Sequence, residues 1–510
     1  MTDVDQAIRD VVKGASVVTL GLFLELLIAF VAQVVAANYL SVADFGGLTA
    51  GTALLDLGAI VGGLGLASGL TRYLPRVDEA EKRMLVLASV GMALVTSTLL
   101  GAAVALNASF IASTVFGNPN VTVSIRVFGA AIPFATLLNV AVGGIRGQER
   151  STYWVFVKNI VHPIVRITLV VGAVLYGLGQ AGLAGAYAVP YAVSALIGLV
   201  LLHRTLPRSR APLNRDRVEA VTRYSLPFTV SEISGFIYRS IDIFLILYYI
   251  GDAATGIYGV AYAAVSFMGV FSTAFNFLAT PIASRLENDA AVDDAMEMFR
   301  AVVRWLIVAS VCALVPLGVF ATDFIVNIYG SKYADGGIVL TVLAVGFAAK
   351  NVLSINNSIL EAVGRSKILS FNSALAAVTN LALNVVLIPR FGIIGAALAT
   401  TASFLLRDGL AAVQVYLALG ETPLVWQATR PIALAVPILV VVWQVVSPAT
   451  PSTLLWLIAV TGLTALVYAV TVLLTFGLSE TETMILRSAE EQYGLDLTRF
   501  DGLIRWLSQR

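Results

Sequence analysis

Residues 38–54 read NYLSVADFGGLTAGTAL, and residues 248–264 read YYIGDAATGIYGVAYAA. The second stretch begins 210 residues after the first, Asn38 to Tyr248, and sets Gly256 on Gly46. Both have one layout: the end of an apolar run, a short turn, the start of the next run. GIIGAAL from Gly392 matches GLAGAYA from Gly182 at the same offset. Elsewhere IYGS near Tyr329 resembles VFGN near Phe116. Three matches in order imply an internal duplication.

Around these stretches the 510-residue chain is 58% hydrophobic and 12% charged, with a mean hydropathy of +0.88. Soluble domains carry about 25% charged residues, so the solvent of this chain is a bilayer. Apolar runs long enough to cross a hydrocarbon core of about 30 Å begin near residues 15, 46, 84, 121, 153, 181, 225, 256, 302, 337, 368, 392, 430 and 453. They predict an all-α membrane protein of about 14 transmembrane helices, hereafter spans 1 to 14. Six spans separate the duplicated stretches. An even number makes the halves parallel, related by an axis along the membrane normal. The expected architecture is two six-helix bundles related by pseudo-two-fold duplication, plus two extra C-terminal helices. The expected boundaries are an N-terminal bundle at 1–202, a basic cytoplasmic linker at 203–224, a C-terminal bundle at 225–420, spans 13 and 14 at 421–478, and a cytoplasmic amphipathic tail at 479–510.

Lys and Arg placement sets the orientation. With the N-terminus inside, the inner loops collect Arg9 and Lys13, Arg72, Arg76, Lys82 and Arg83, Arg146 and Arg150, then the dense group Arg204, Arg208, Arg210, Arg215, Arg217 and Arg223. Arg285, Arg300, Arg304, Arg365, Lys367 and Arg430 follow, and the tail adds Arg487, Arg499, Arg505 and Arg510. The outer loops keep Lys332 and Arg390. Adding or deleting one span mid-chain destroys this asymmetry, so both termini are expected in the cytoplasm. Residues 1–14 are polar with mixed charge, and no small-residue cleavage site follows the first run, which predicts a retained helix rather than a signal peptide. Leu497, Phe500, Leu503, Ile504 and Leu507 recur at helical spacing and predict an interfacial tail helix.

Several function classes are excluded. The outer connections are short, such as YLSVADFGG and IPRFGI, so no catalytic domain projects outward, and the chain is read as no enzyme. Two histidines and the lone Cys312, a lipid-facing or packed thiol, build neither a His/Cys zinc site nor a disulfide framework. No phosphate-binding G-x-x-x-x-G-K-[ST] loop and no nucleic-acid-binding module is present. No cofactor is implied.

The sharpest signal is charge inside the spans, since each ionised side chain at a helix centre costs about 2.5–3.5 kcal/mol on insertion scales. Span 5, YWVFVKNIVHPIVRITLVVGAV, sets Lys158, His162 and Arg166 at i, i+4 and i+8 on one face beside Pro163. Lys158 is near enough to the inner surface to snorkel. Arg166 is not, and its fork of donors suits either phosphate oxygens or an ion pair with Glu25, Asp56 or Glu232. In span 7, Arg239 and Asp242 are i, i+3 neighbours and Glu232 precedes them by two turns, readable as a local pair or as cavity groups. Lys350 stands mid-span before Asn351, Asn356 and Asn357, amides that serve hydroxyl-rich ligands or helix–helix hydrogen bonds. Glu25 and Asp56 have no cation in their own helices and are candidates for a coupling proton or sodium ion. Arg407 and Asp408 are adjacent and expected to point apart, and Arg126 lies nearer an outer end.

The two halves, the fourteen spans, the buried cations, and the stretches IYGSKYADGG and LIPRFGIIGAALAT together resemble the polysaccharide-transport, Wzx-type flippases of the multidrug/oligosaccharidyl-lipid/polysaccharide exporter superfamily. The segment Val363 to Thr400, from VGRSK through Asn380 and Asn384 to IPRFGIIGAALAT, carries most of the likeness. The resemblance implies a plasma-membrane flippase that turns a polyprenyl- or dolichyl-(pyro)phosphate-linked oligosaccharide from the cytoplasmic to the outer leaflet by alternating access. Its partners would be that lipid-linked oligosaccharide, membrane lipids and glycan-assembly enzymes, with no nucleic acid. Members share no invariant catalytic signature. Arg166, Arg239, Lys158 and Lys350 as phosphate ligands, and Glu25, Asp56, Glu232, Asp242, Asn351 and Asn356 as glycan or ion-coupling groups, therefore rest on depth and charge. An ion-coupled drug antiporter of the same superfamily is the nearest rival, a peptidoglycan-precursor flippase another. A membrane glycosyltransferase or polymerase would need acidic residues on sizeable outer loops.

Overall fold

A computed structural model describes residues 3–208, 214–270, 292–446 and 453–479, together with residues 272, 482, 483, 502 and 508. The described residues form helices joined by short turns, with no strand among them. Eleven helices among them are long and apolar enough to cross a membrane. One of these, Ser366–Leu419, has 54 residues, about 80 Å at 1.5 Å per residue and enough for two crossings. It breaks at Gly392, where φ 60° and ψ −143° call for a residue without Cβ, inside the predicted outer turn IPRFGI. Arg215–Tyr249, with 35 residues, matches span 7, but its charges keep it below the apolarity of the others. Asp252–Ser266 matches the start of span 8. With both arms of the long helix, span 7 and span 8, the helices accommodate fourteen crossings. The tail residues Leu497, Phe500, Leu503, Ile504 and Leu507, and the basic residues Arg210 and Arg285, lie outside the described residues.

Contacts divide the chain into two compact units, residues 1–260 with 377–396 and residues 261–376 with 397–510. In the first, a core of Leu66, Leu70, Val86, Val140, Ile145 and Leu202 joins spans 3, 4 and 6 to the short helix Leu66–Tyr73. The turns of the two duplicated hairpins also meet there. A Cβ on Gly46 would lie 1.8 Å from the carbonyl oxygen of Asp252, and one on Gly256 would lie 2.2 Å from that of Val42. Subtracting the offset of 210 turns Gly256 into 46 and Asp252 into 42, so each copy makes the same contact with the other. That reciprocity defines an isologous, two-fold interface, and glycine lets the backbones approach this closely in lipid.

The second unit packs Phe299, Val303, Leu306 and Ile307 of span 9 against Ile355, Ile359 and Leu360 of span 10 and Tyr468 of span 14. Cys312 is a half-buried thiol against this core. The Tyr468 hydroxyl donates to the Pro431 carbonyl at 3.0 Å, fixing span 14 to the start of span 13. Facing outward are large apolar side chains such as Leu99 in the first unit and Leu455 in the second, 68% and 80% exposed. Such surfaces are liabilities in water and cost nothing against acyl chains.

Candidate substrate cavity

The chain around Arg166 is shaped by Pro163. A proline inside a helix lacks the N–H for the i−4 carbonyl, and its ring crowds that carbonyl. Here the preceding residues Phe156–Val161 widen into a π-helical turn, the device that absorbs such a mismatch and recurs at functional sites. From His162 the helix resumes and runs to Leu175. His162 is buried, and its Nδ1 lies 3.1 Å from a terminal nitrogen of Arg166. A guanidinium only donates, so Nδ1 is the acceptor and the imidazole carries its proton on Nε2. The Arg166 guanidinium also lies 5.6 Å from the Tyr187 ring centroid, within cation–π range, and His162 packs edge-on against Tyr191 at 4.6 Å.

Arg166 faces a cavity of about 230 Å³ lined by Gln33 of span 1, Thr49, Thr52 and Asp56 of span 2, and Tyr187 and Tyr191 of span 6. All belong to the first unit. Thr49, Thr52 and Asp56 fall at i, i+3 and i+7, one face of Val42–Gly63. The threonine hydroxyls donate to their own helix, Thr49 to Phe45 O at 2.9 Å and Thr52 to Thr49 O at 2.8 Å, which leaves their lone pairs free for a ligand. Asp56 is exposed to the cavity and lies within Coulomb range of Arg166, Arg239 and Lys158. Glu25, half-buried, lies within range of Lys158 and Arg166. Among the described residues, Arg166, Lys158 and Arg239 form no ion pair within 4.0 Å. The cluster has opposite charges near one another and none locked together.

Other predicted site residues lie elsewhere. Glu232 accepts from the Ser68 hydroxyl at 2.7 Å, bridging span 7 to the helix Leu66–Tyr73. Asp242 is 2% exposed and accepts from the Tyr258 hydroxyl and from the Ile243 amide at 3.0 Å. Arg239, three residues before it, is exposed, as is Lys158. Lys350, Asn351 and Asn356 belong to the second unit. The Lys350 ammonium lies 4.9 Å from the Phe347 ring centroid and 4.5 Å from that of Phe404, a double cation–π contact. Asn351 is buried and donates to Met268 O at 2.8 Å, a helix–helix bond. Asn356 is buried and donates to Leu353 O at 2.8 Å in its own turn. Arg407 and Asp408 do not point apart. The long arginine folds back to 3.5 Å from Asp408, donates to Ser373 at 3.2 Å, and leaves Asp408 buried with Asn357 as its donor at 2.9 Å. Gln33, Thr49, Thr52, Tyr187 and Tyr191 escaped the reading of the sequence. The i, i+4 tyrosines around Pro190 are the signal that was present for two of them.

The model of a family described as "Polysaccharide biosynthesis protein" matches residues 11–287, more than half of the chain. The chain belongs to this family. Two curated relatives come from Haloferax volcanii. The "Probable low-salt glycan biosynthesis flippase Agl15" is 28% identical over 185 residues, covering 36% of this chain and 38% of the relative. The "Probable flippase AglR" is 25% identical over 287 residues, covering 53% and 56%. The chain thus matches less than two thirds of the length of either. Among solved structures, "Lipid II flippase MurJ, inward closed conformation" superposes with a TM-score of 0.69 at 14% identity over 89% of this chain and 97% of that one. An inward-facing multidrug resistance transporter of the MATE family superposes with a TM-score of 0.63 at 13% identity over 78% and 94%. At these identities the likeness is one of fold. This member of the polysaccharide biosynthesis family is a multi-pass α-helical membrane protein with the fold of those transporters.

Proposed function

We propose that the protein is a flippase that carries a lipid-linked oligosaccharide, joined through phosphate or pyrophosphate, from the cytoplasmic to the outer leaflet. The observation that carries this reading is Arg166: a guanidinium deep in span 5, facing a cavity, with no carboxylate bound to it among the described residues. An unpaired cation there is costly, and a lipid phosphate is the ligand that offsets the cost. The cavity of about 230 Å³ is below the roughly 300–1,000 Å³ of pockets that hold drug-sized ligands. It suits a phosphate or diphosphate, with the glycan and the lipid tail outside it, and it weakens the drug-antiport reading.

Asp56 shares the cavity with Arg166, so a carboxylate and a phosphate compete for one guanidinium. Neutralising Asp56 with a proton or sodium ion removes its repulsion of a phosphate at Arg166, which couples ion and substrate. One charge moved through the field contributes about 2.3 kcal/mol per 100 mV. On this reading the protein acts as a transporter rather than an enzyme, in the plasma membrane with both termini cytoplasmic, alongside the glycan-assembly enzymes that make and use its substrate. The test is gene deletion followed by leaflet assignment of lipid-linked oligosaccharides with a membrane-impermeant glycan label on intact and lysed cells. Accumulation in the inner leaflet supports flipping. Unchanged amount and sidedness rules it out and returns small-molecule antiport.

A further inference from the structure

A second cavity, of about 520 Å³, lies in the second unit where span 9 begins, span 13 begins and span 14 ends. Odd-numbered spans starting and an even-numbered span ending put all three at one membrane surface, the one the basic loops assign to the cytoplasm. Its lining carries Arg300, Arg304 and Arg430 against Glu297 and Glu482. Arg304 and Glu482 form an ion pair at 3.1 Å with side chains 6% and 2% exposed, and Arg304 also donates to the Gly477 carbonyl. Glu482 Oε2 accepts from the Ser479 amide at 2.8 Å, while the Glu482 amide donates to Ser479 Oγ at 3.1 Å. That reciprocal box is a helix N-cap. It occupies one oxygen of Glu482 and leaves the other, Oε1, buried without a hydrogen bond.

The arginines are unequal. Arg300 is held by Glu421 at 2.7 Å. Arg430 donates to the Phe476 carbonyl at 3.0 Å and lies 4.4 Å from the centroid of the Phe476 ring, with no carboxylate in an ion pair among the described residues. Arg300, Arg304 and Arg430 each have a buried Nε without a hydrogen bond. The cavity therefore has one arginine, Arg430, outside any ion pair among the described residues, spare guanidinium donors and one carboxylate oxygen that lacks a donor. A phosphate diester whose headgroup carries no donor answers the first two only. A phosphate flanked by a hydroxyl or ammonium donor answers all three.

We propose that this cavity is a headgroup site for a phospholipid of the cytoplasmic leaflet whose phosphate bears a donor group, glycerol or ethanolamine. Arg430 and Arg304 take the phosphate oxygens, Glu482 takes the donor, and the acyl chains run along spans 9, 13 and 14 into the bilayer. The site is separate from the Arg166 cavity and does not depend on flipping.

Native mass spectrometry of the purified full-length protein, titrated with phosphatidylglycerol, phosphatidylethanolamine and phosphatidylcholine of matched chains, tests it. The expected result is at least tenfold tighter binding of the first two, because choline offers no donor, loss of that preference in E482Q, and at least tenfold weaker binding of all three lipids in R430Q. R430K, which keeps the charge and loses the fork, is the second variant should R430Q not fold, and a threefold or greater loss for all three lipids is expected there. Equal affinity for the three lipids overturns the proposal. Displacement of bound lipid by equimolar inorganic phosphate overturns it too and assigns the cavity to free phosphate. These readouts stand whether or not leaflet transfer of oligosaccharide is found.

Discussion

Replacing Gly46 with alanine puts a methyl group where Asp252 O now lies, 1.8 Å away. Contacts under 3.0 Å are essentially never made by a real Cβ, so the two hairpin turns have to separate by more than 1 Å. The atom in the way is backbone at a helix start, held by the helix behind it, and no rotamer change relieves the clash. Overpacking of this kind costs about 1–3 kcal/mol, and with no side chain to yield the upper end applies. Gly256→Ala meets Val42 O at 2.2 Å and should cost nearly as much. Because both substitutions open one contact, the double variant should cost well below the sum of the two. Gly91→Ala is the control: it has nothing within 4 Å, and alanine is the better helix former by about 0.5–1 kcal/mol. The assay is the apparent melting temperature of the detergent-solubilised protein followed by size exclusion. Gly46→Ala and Gly256→Ala should melt below wild type and Gly91→Ala at or above it. If Gly46→Ala melts with Gly91→Ala, the reciprocal glycine contact is wrong.

Two further outcomes follow from the first unit. Asp56→Asn removes the competitor for Arg166 and should raise affinity for a phosphate-bearing lipid while abolishing dependence of transport on the ion gradient; retained ion dependence would place coupling on Glu25 or elsewhere. Tyr258→Phe deprives the buried Asp242 of a hydroxyl donor and should destabilise by about 1–3 kcal/mol, read as a lower melting temperature, with unchanged melting counting against a structural role for that bond.

Spans and duplication were legible because each is written in composition: apolar length, and the repeated turn around Gly46 and Gly256. That these glycines touch was not, since a repeat says that two segments are alike and nothing about where they meet. The polar stripe of span 5 was legible from its i, i+4 spacing beside Pro163. The hydroxyl lining of the Arg166 cavity was not, because Thr49, Thr52, Tyr187 and Tyr191 carry no charge and are common in apolar helices. Arg407 and Asp408 show the limit of spacing alone. Neighbours on a helix diverge by about 100°, yet the length of the arginine brings its guanidinium back to Asp408.

The most direct test of the account is leaflet transfer by purified protein in liposomes containing a phosphate-linked glycolipid, comparing wild type with Arg166→Ala and Arg166→Lys under an imposed ion gradient. The account predicts transfer by wild type, at least a tenfold slower rate for Arg166→Ala, and an intermediate rate for Arg166→Lys, which keeps the charge and loses the fork. Transfer by Arg166→Ala at the wild-type rate would contradict it.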